Sequence, residues 1–316
     1  MGARLSSVSV VIPVYDERDS LRPLAGELLP VVRALGRRVE VIFVDDGSRD
    51  GSTEVLADLA AAEPEIAVVR LRRNFGKGAA LAAGFRLATG EAIVTLDADL
   101  QDDPTEIPRL LEALEEGSDL VSGWKRDRRD PLSKRAASRV FNGVSSRMTG
   151  LDLHDLNCGL KAYRAEVVQA LALAGDTYRY IPVIAANAGF RVTELPVNHR
   201  PRVHGRTKYG LERYVRGLLD LLTILFIGRY RHRPMHLFGG LGLIFSTAGF
   251  VILCYMAALR FSGDGIGGRP LLLLGALLLV VGIQLFTIGL VSEMIQRNHL
   301  RPERDEAETR VERVIR

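Results

Sequence analysis

Two long apolar stretches near the C-terminus constrain this chain more than any other feature. Leu237–Leu259 is broken only by small residues and the Ser246-Thr247 pair, and Leu271–Val291 only by glycines, Gln284 and Thr287. Each reaches the roughly 20 residues that cross a hydrocarbon core about 30 Å thick. The connection Arg260–Pro270 is short and glycine-rich, so the pair reads as a two-helix transmembrane hairpin rather than two buried helices of a soluble core. Arg229, Arg231, His232 and Arg233 precede it and Arg297, His299, Arg301 and Arg304 follow it, whereas only Arg260 and Arg269 sit in the connection. The positive-inside rule then puts both ends, and the large N-terminal region with them, on the cytoplasmic face of the cell membrane. Met1–Ser7 lacks the apolar core of a signal peptide.

The residues before the hairpin follow a different rhythm. Apolar runs at Val8–Val14, Val39–Val44, Ile66–Leu71, Ala92–Leu96 and Leu120–Ser122 alternate with helical patterns at Ser20–Leu35, Gly51–Ala62, Gly76–Thr89 and Pro104–Glu116. Alternation of this kind predicts an α/β domain with a mainly parallel, doubly wound, Rossmann-like sheet. Ligands of such sheets bind outside the carboxyl ends of the strands. The polar clusters fall at those ends: Tyr15 and Glu17, Asp45 and Asp46, Arg72 to Asn74, and Asp97 with Asp99. The chain divides into an α/β domain over residues 1–210, a juxtamembrane segment over 211–235, the hairpin over 236–294 and a charged tail over 295–316. Within the juxtamembrane segment, Leu211, Tyr214, Val215, Leu218, Leu222 and Leu225 share one helical face and Glu212, Arg213, Arg216 and Asp220 the other. Beside a membrane anchor that pattern predicts an interfacial helix.

The segment Ile93–Pro104 carries the most chemistry. An apolar run ends in Asp97 and Asp99, with Gln101, Asp102 and Asp103 behind them. Hard divalent cations such as Mg²⁺ or Mn²⁺ take oxygen ligands, and Mg²⁺ commonly binds through one or two carboxylates plus a substrate phosphate. The Asp-x-Asp pattern alone also fits a solvated loop or a helix cap; its place at a strand end favours the metal. Gly76-Lys77-Gly78 opens like a dinucleotide-binding turn, but Leu81 stands where the third glycine belongs and no phosphate-loop ending follows. A net charge of +4 without interleaved arginine and aromatic residues gives no reason to expect nucleic acid. Cys158 and Cys254 lack metal-ligand spacing, and a disulfide framework is not expected.

Together these motifs resemble a known family. Val10–Glu17, Val44–Ser48 and Asp97–Pro104 are similar to successive signatures of family 2 glycosyltransferases, which implies a GT-A nucleotide-sugar-binding fold. Asn157–Lys161, His204–Gly210 and the hairpin narrow the resemblance to polyprenyl-phosphate glycosyltransferases, the group that includes dolichol-phosphate mannose synthases. The resemblance implies that Pro13, Tyr15 and Glu17 line the nucleoside pocket and that Asp46 meets the base; an Asx turn ahead of the helix at Gly51 is the other reading of Asp46. It implies that Asp97, Ala98 and Asp99 meet the sugar diphosphate, that Asp97, Asp99 and Gln101 hold Mg²⁺ or Mn²⁺, that Arg202 and Lys208 close on the diphosphate or the acceptor phosphate, and that Lys77 supports the same pocket; an exposed lysine at a helix start is the other reading of Lys77. Lys125, Arg126, Lys134, Arg135 and Ser138 would grip the acceptor phosphate, or else form a basic face on anionic lipid. Asp155 is the candidate acceptor-side carboxylate, or an ordinary loop acid.

The reaction implied is transfer of one sugar, with inversion, from a nucleotide-diphosphate sugar to an undecaprenyl or dolichyl phosphate. UDP-glucose is the expected donor and GDP-mannose the alternative. A phosphate monoester, with a second pKa near about 6, scarcely needs a general base. A processive polysaccharide synthase is disfavoured because Trp124 is the only tryptophan and only one hairpin is present; a silent nucleotide-sugar-binding protein is disfavoured by the intact acidic motif. Gly239, Gly240, Gly242, Ser246 and Gly249 suit packing against a second copy of the chain, and serve equally as lipid-facing filler.

Overall fold

The computed structural model describes residues 4–125, 153–155, 158–170, 178, 180–200, 234–263, 270–298 and 311–315. They form two compact units, Met1–Leu221 with Glu303–Arg316, and Leu222–Pro302. In the first, strands β1 (Ser7–Val14), β2 (Arg38–Asp45), β3 (Ile66–Leu71) and β4 (Ala92–Thr95) alternate with helices α1 (Arg18–Ala34), α2 (Ser52–Ala62) and α3 (Lys77–Leu87). A 3₁₀ turn at Pro104–Glu106 leads into α4 (Ile107–Glu115), followed by β5 (Leu120–Lys125), β6 (Lys161–Arg164), α5 (Ala165–Ala170), α6 (Ile181–Asn187) and β7 (Val192–Val197). An eighth strand, β8 (Val311–Ile315), pairs antiparallel with β3.

The sheet order is β7-β5-β6-β4-β1-β2-β3-β8. β1, β2, β3 and β4 are mutually parallel, as is β5 with β7, while β6 runs antiparallel between β4 and β5. The α/β reading of the sequence therefore holds, and the antiparallel β6 makes the sheet mixed. The chain builds outward from β1 through β2 to β3, then returns to place β4 on the other side of β1. That reversal is the switch point where doubly wound sheets open a crevice for ligands. Pro13, which has no N–H, is tolerated in this central strand because β4 pairs with β1 only from Val8 to Val11.

The core is mostly aliphatic, with Val10, Ile12, Val41, Val68 and Val94 on the sheet and Leu21, Leu24 and Leu28 on α1 fully buried, joined by the aromatic Phe43. α3 lies unusually close to the sheet. A Cβ at Gly84 would stand 3.1 Å from the Val44 side chain and closer still to that of Val11, so the small residues of this helix set its depth.

The second unit is a hairpin of α7 (Pro234–Phe261) and α8 (Pro270–Asn298). Both helices are long and apolar enough to cross a membrane. The small residues expected on an outer face are largely spent inside the hairpin. A Cβ at Gly242 would stand 2.6 Å from the Gly282 carbonyl, and one at Gly249 would stand 2.6 Å from the Leu279 amide. Ser246 lies against Gly282, whereas Gly240 meets nothing within 4 Å. Close backbone approach through small residues is how helices associate where lipid removes the hydrophobic drive. The N-terminal end of α7 is tied to α8, where the Met235 amide donates to Glu293 Oε2 at 3.4 Å.

Candidate active site

The carboxyl end of β4 is the centre of the candidate site. Its pairing with β6 sets Thr95 opposite Lys161. In an antiparallel pair, two residues onward from Thr95 faces two residues back from Lys161, so Asp97 meets Gly159. The approach is tight: a Cβ on Gly159 would lie 2.5 Å from the Asp97 carboxyl carbon, and only glycine leaves room for the carboxylate. Thr95 Oγ1 donates to the Gly159 carbonyl at 2.7 Å and fixes the contact. Beyond it, Asp99 Oδ1 accepts the Gln101 amide at 3.2 Å and shapes the turn. Leu100 has φ +62° and Asp16, at the matching end of β1, has φ +53°. Strain of order 1–3 kcal/mol each is thus concentrated at the switch point.

Three lysines surround this edge. Lys77, the first residue of α3, places its ammonium 2.5 Å from Asp97 Oδ1. Lys125, at the end of β5, pairs with the buried Asp102 at 2.9 Å. Lys161 is 5% exposed and donates to the Cys158 carbonyl. Burial alone would raise the pKa of Asp97, but Lys77, Lys125 and Lys161 hold it below the ordinary carboxylate value. Burial likewise opposes the charge on Lys77, and Asp97 overrides it and holds Lys77 protonated. Lys161 goes the other way, lowered chiefly by burial. Burial also pushes the Cys158 thiol up to about 12, which makes it an inert core residue.

The neighbouring strand ends complete the crevice. Tyr15 is 40% exposed, while Pro13 and Glu17 are half-buried beside it. The Glu17 amide donates to Ser52 Oγ at 3.2 Å. Asp45 holds the start of α2, accepting from the Ser48 amide and Thr53 Oγ1. Asp46, which the resemblance assigns to the base, is held by backbone donors from the loop before α3. Its side chain is 3% exposed, and its two oxygens accept the Phe75 amide at 2.7 Å and the Gly76 amide at 2.8 Å. Buried between loops, it clamps the start of the helix that carries Lys77.

On the acceptor side, the charge of Lys125 is already engaged by Asp102. Arg126, Lys134, Arg135, Ser138, Arg202 and Lys208 lie outside the described residues. Asp155 is buried, with its amide donating to Glu194 Oε1 at 2.7 Å. The same glutamate accepts from the amide and ring of His154, whose ring stacks on Trp124 with centroids 4.2 Å apart. Ala98 is buried and Gln101 half-buried; the Gln101 carbonyl accepts the Arg200 amide at 2.9 Å. The roles of Gly159, Lys161 and Glu194 have no local signal in the sequence. The segment holding Gly159 and Lys161 was visible as a motif, but only the register of β6 shows what it touches.

The donor set suits a hard cation. Asp97 and Asp99 offer carboxylate oxygens at a strand end, and Asp97 already holds a cation in the form of the Lys77 ammonium. Among the described residues no three His, Cys, Asp or Glu side chains are grouped so as to hold a metal ion.

Comparison with known proteins agrees with this geometry. The model of glycosyl transferase family 2 matches residues 9–172, and that of the GtrB C-terminal hairpin matches residues 233–297. Dodecaprenyl-phosphate galacturonate synthase of Rhizobium johnstonii is 38% identical over 302 residues, covering 94% of this chain and 89% of that protein. Undecaprenyl-phosphate 4-deoxy-4-formamido-L-arabinose transferase of Edwardsiella ictaluri is 38% identical over 292 residues, 92% of this chain and 89% of that one. Among solved structures, glucosyl-3-phosphoglycerate synthase from Mycobacterium tuberculosis has a TM-score of 0.53 at 21% identity, covering 70% of this chain and 79% of that one, which speaks to the fold. With the acidic strand end, the switch-point crevice and the apolar hairpin in one chain, this protein is a glycosyltransferase of family 2 with a GT-A-like fold and a GtrB-type C-terminal hairpin.

Proposed function

We propose that this enzyme transfers a single sugar from a nucleotide-diphosphate sugar to a polyprenyl phosphate at the cytoplasmic face of a membrane. One observation carries the reading: the Asp97–Asp99 strand end and the apolar hairpin occur together in a chain that matches, over 94% of its length, a relative named for sugar transfer to a polyprenyl phosphate. The relatives named for galacturonate and for formamido-arabinose are equally similar, at 38% each, so likeness does not choose the sugar. A UDP-hexose is our proposed donor, glucose first.

Asp97, Asp99 and Gln101 would hold Mg²⁺ or Mn²⁺, which when bound offsets charge on the departing nucleoside diphosphate. Pro13, Tyr15 and Glu17 form the wall offered to the nucleoside, and Lys77 the cation offered to the diphosphate. The acceptor is a phosphate monoester, largely dianionic near neutral pH with a second pKa of about 6, so no side chain has to remove a proton. The protein's part is to orient donor and acceptor, to screen two phosphates from one another and to support the leaving group. Arg126, Lys134, Arg135 and Ser138, with Arg202 and Lys208, are the groups proposed for that screening. Direct displacement at the anomeric carbon inverts its configuration.

The test is incorporation of label into the organic phase by purified protein with undecaprenyl phosphate and Mn²⁺, using UDP-glucose, UDP-galacturonate and GDP-mannose in separate reactions. Lipid-linked label from one donor establishes the reaction and names the sugar. Free sugar without a lipid product excludes the acceptor, and absence of both turnover and nucleotide binding excludes the reading altogether.

A further inference from the structure

We propose that Lys77 is the resident counter-ion of Asp97, a stand-in for the divalent cation, and that its ammonium weakens metal binding at Asp97 until a nucleotide diphosphate draws it away. This rests on the reading of Asp97 as a metal ligand and adds an order to the binding.

The argument begins with what each ammonium is free to do. Lys125 is only 11% exposed and is held by Asp102, itself 1% exposed, at 2.9 Å. Lys161 is buried and tied to the Cys158 carbonyl. Lys77, with 30% of its side chain exposed, is the member of the trio that can move without emptying a buried pair. Its backbone does not have to follow, because Asp46 fixes the amides of Phe75 and Gly76 immediately before it. The motion is confined to a flexible four-carbon stem carrying a compact charge.

Charge then decides the order. Among the described residues, Asp97, Asp102 and Asp155 are the carboxylates that act on Lys77, Lys125 and Lys161, three acids against three bases. A lone dication at Asp97 would meet the Lys77 ammonium already seated on Oδ1. The freed ammonium would keep the Tyr178 ring, 5.6 Å from its present position, and the attraction of Asp102, and the site would carry excess positive charge. A dication accompanied by a diphosphate, which carries two ionised oxygens, leaves the balance unchanged and gives Lys77 a new anion. Gly159 packs against the Asp97 carboxyl carbon and both its oxygens, so the room left on this carboxylate is limited and a metal and Lys77 meet on the same group. The consequence is positive coupling between metal and nucleotide, reciprocal by linkage.

The experiment is Mn²⁺ binding to the full-length protein in detergent, followed by electron paramagnetic resonance, with and without UDP, and in parallel with GDP. In the wild type one of these nucleotides should tighten Mn²⁺ binding about tenfold, within the roughly 5–150-fold range of site-to-site coupling. Lys77→Met should bind Mn²⁺ more tightly than wild type without nucleotide and lose most of the nucleotide effect, whereas Lys77→Arg, which keeps the charge, should behave like wild type. Asp97→Asn should lose Mn²⁺ binding in every condition. Retained Mn²⁺ binding by Asp97→Asn would overturn the metal assignment together with this proposal. Binding lost in Asp97→Asn but unaltered in Lys77→Met would overturn the proposal alone, as would a wild type whose Mn²⁺ affinity ignores both nucleotides.

Discussion

Gly159 lies so close to Asp97 that a Cβ on it would stand 2.5 Å from both the carboxyl carbon and Oδ2. A methyl group there must push the carboxylate away from its position at the strand end. Displacement of a reacting group by about 1 Å can cost roughly 10²-fold in rate. Gly159→Ala should therefore lose transfer activity by about that factor while keeping the circular dichroism of the wild type. Unaltered turnover would show that the placement of Asp97 is not critical.

Asp99 supports the turn after β4 through its bond to the Gln101 amide and is proposed to meet the metal. Asp99→Ala should abolish transfer, with a loss of at least about 10²-fold, the scale expected when charge stabilisation at a reacting centre is removed. The assay is lipid-linked product across a Mn²⁺ titration. Full activity at ordinary Mn²⁺ would take the metal role away from this residue.

Asp46 serves two buried backbone donors at once. Asp46→Ala leaves both without an acceptor, at a cost of about 1–3 kcal/mol for an unsatisfied buried group. Hydrogen exchange at Phe75 and Gly76 should accelerate, while exchange on α4, far along the chain, stays the same. Equal protection in mutant and wild type would mean that the loop is held by something else.

Acid stability has a defined sign at Asp103. Burial would raise its pKa, but bonds from Thr105 and Asn198 and the nearby Arg200 hold it below its ordinary value of 3.8. The folded state therefore binds this proton more weakly than the unfolded chain. Its stabilisation is complete above the ordinary value and is lost as pH falls through the lower folded value. Asp103→Asn should lower the melting temperature at neutral pH and flatten its decline in acid. A melting profile parallel to wild type down to about pH 3 would contradict this.

The hairpin should matter for the lipid acceptor more than for the nucleotide. A deletion running from Leu237 to Arg316 would also strip β8 from the edge of β3. The cleaner variant replaces residues 234–302 with a flexible linker and retains the C-terminal strand. Its nucleotide affinity should stay near that of wild type while use of a long polyprenyl phosphate falls sharply. Equal loss of both would make the hairpin a structural element of the catalytic unit.

Much of this protein is written locally. Hydrophobic periodicity and the positions of Gly, Pro and Asp fix β1 to β5, helices α1 to α4 and the two apolar spans, because each is a statement about which side of a segment meets water. The acidic strand end at Asp97 is legible for the same reason: an apolar run that stops at carboxylates marks the edge of a sheet. β6 and β7 carry no comparable local signal. Lys161–Arg164 and Val192–Val197 are short, and the former begins with a lysine that looks solvent-bound.

The sequence by itself determined the fold class, the family, the apolar hairpin and the strand ends where ligands gather. Tertiary structure alone decided that Lys161 is buried, that Lys77 rests on Asp97, that Asp46 turns inward onto Phe75 and Gly76, and that Gly242 and Gly249 are consumed within the hairpin. These contacts join residues far apart in the chain. In the α/β unit they depend on strand order and register, as where β6 enters antiparallel beside β4 with Lys161 opposite Thr95, and in the hairpin on helix packing. Local patterning encodes exposure, whereas register encodes partners, and a shift of one residue would carry every side chain of β6 to the other face.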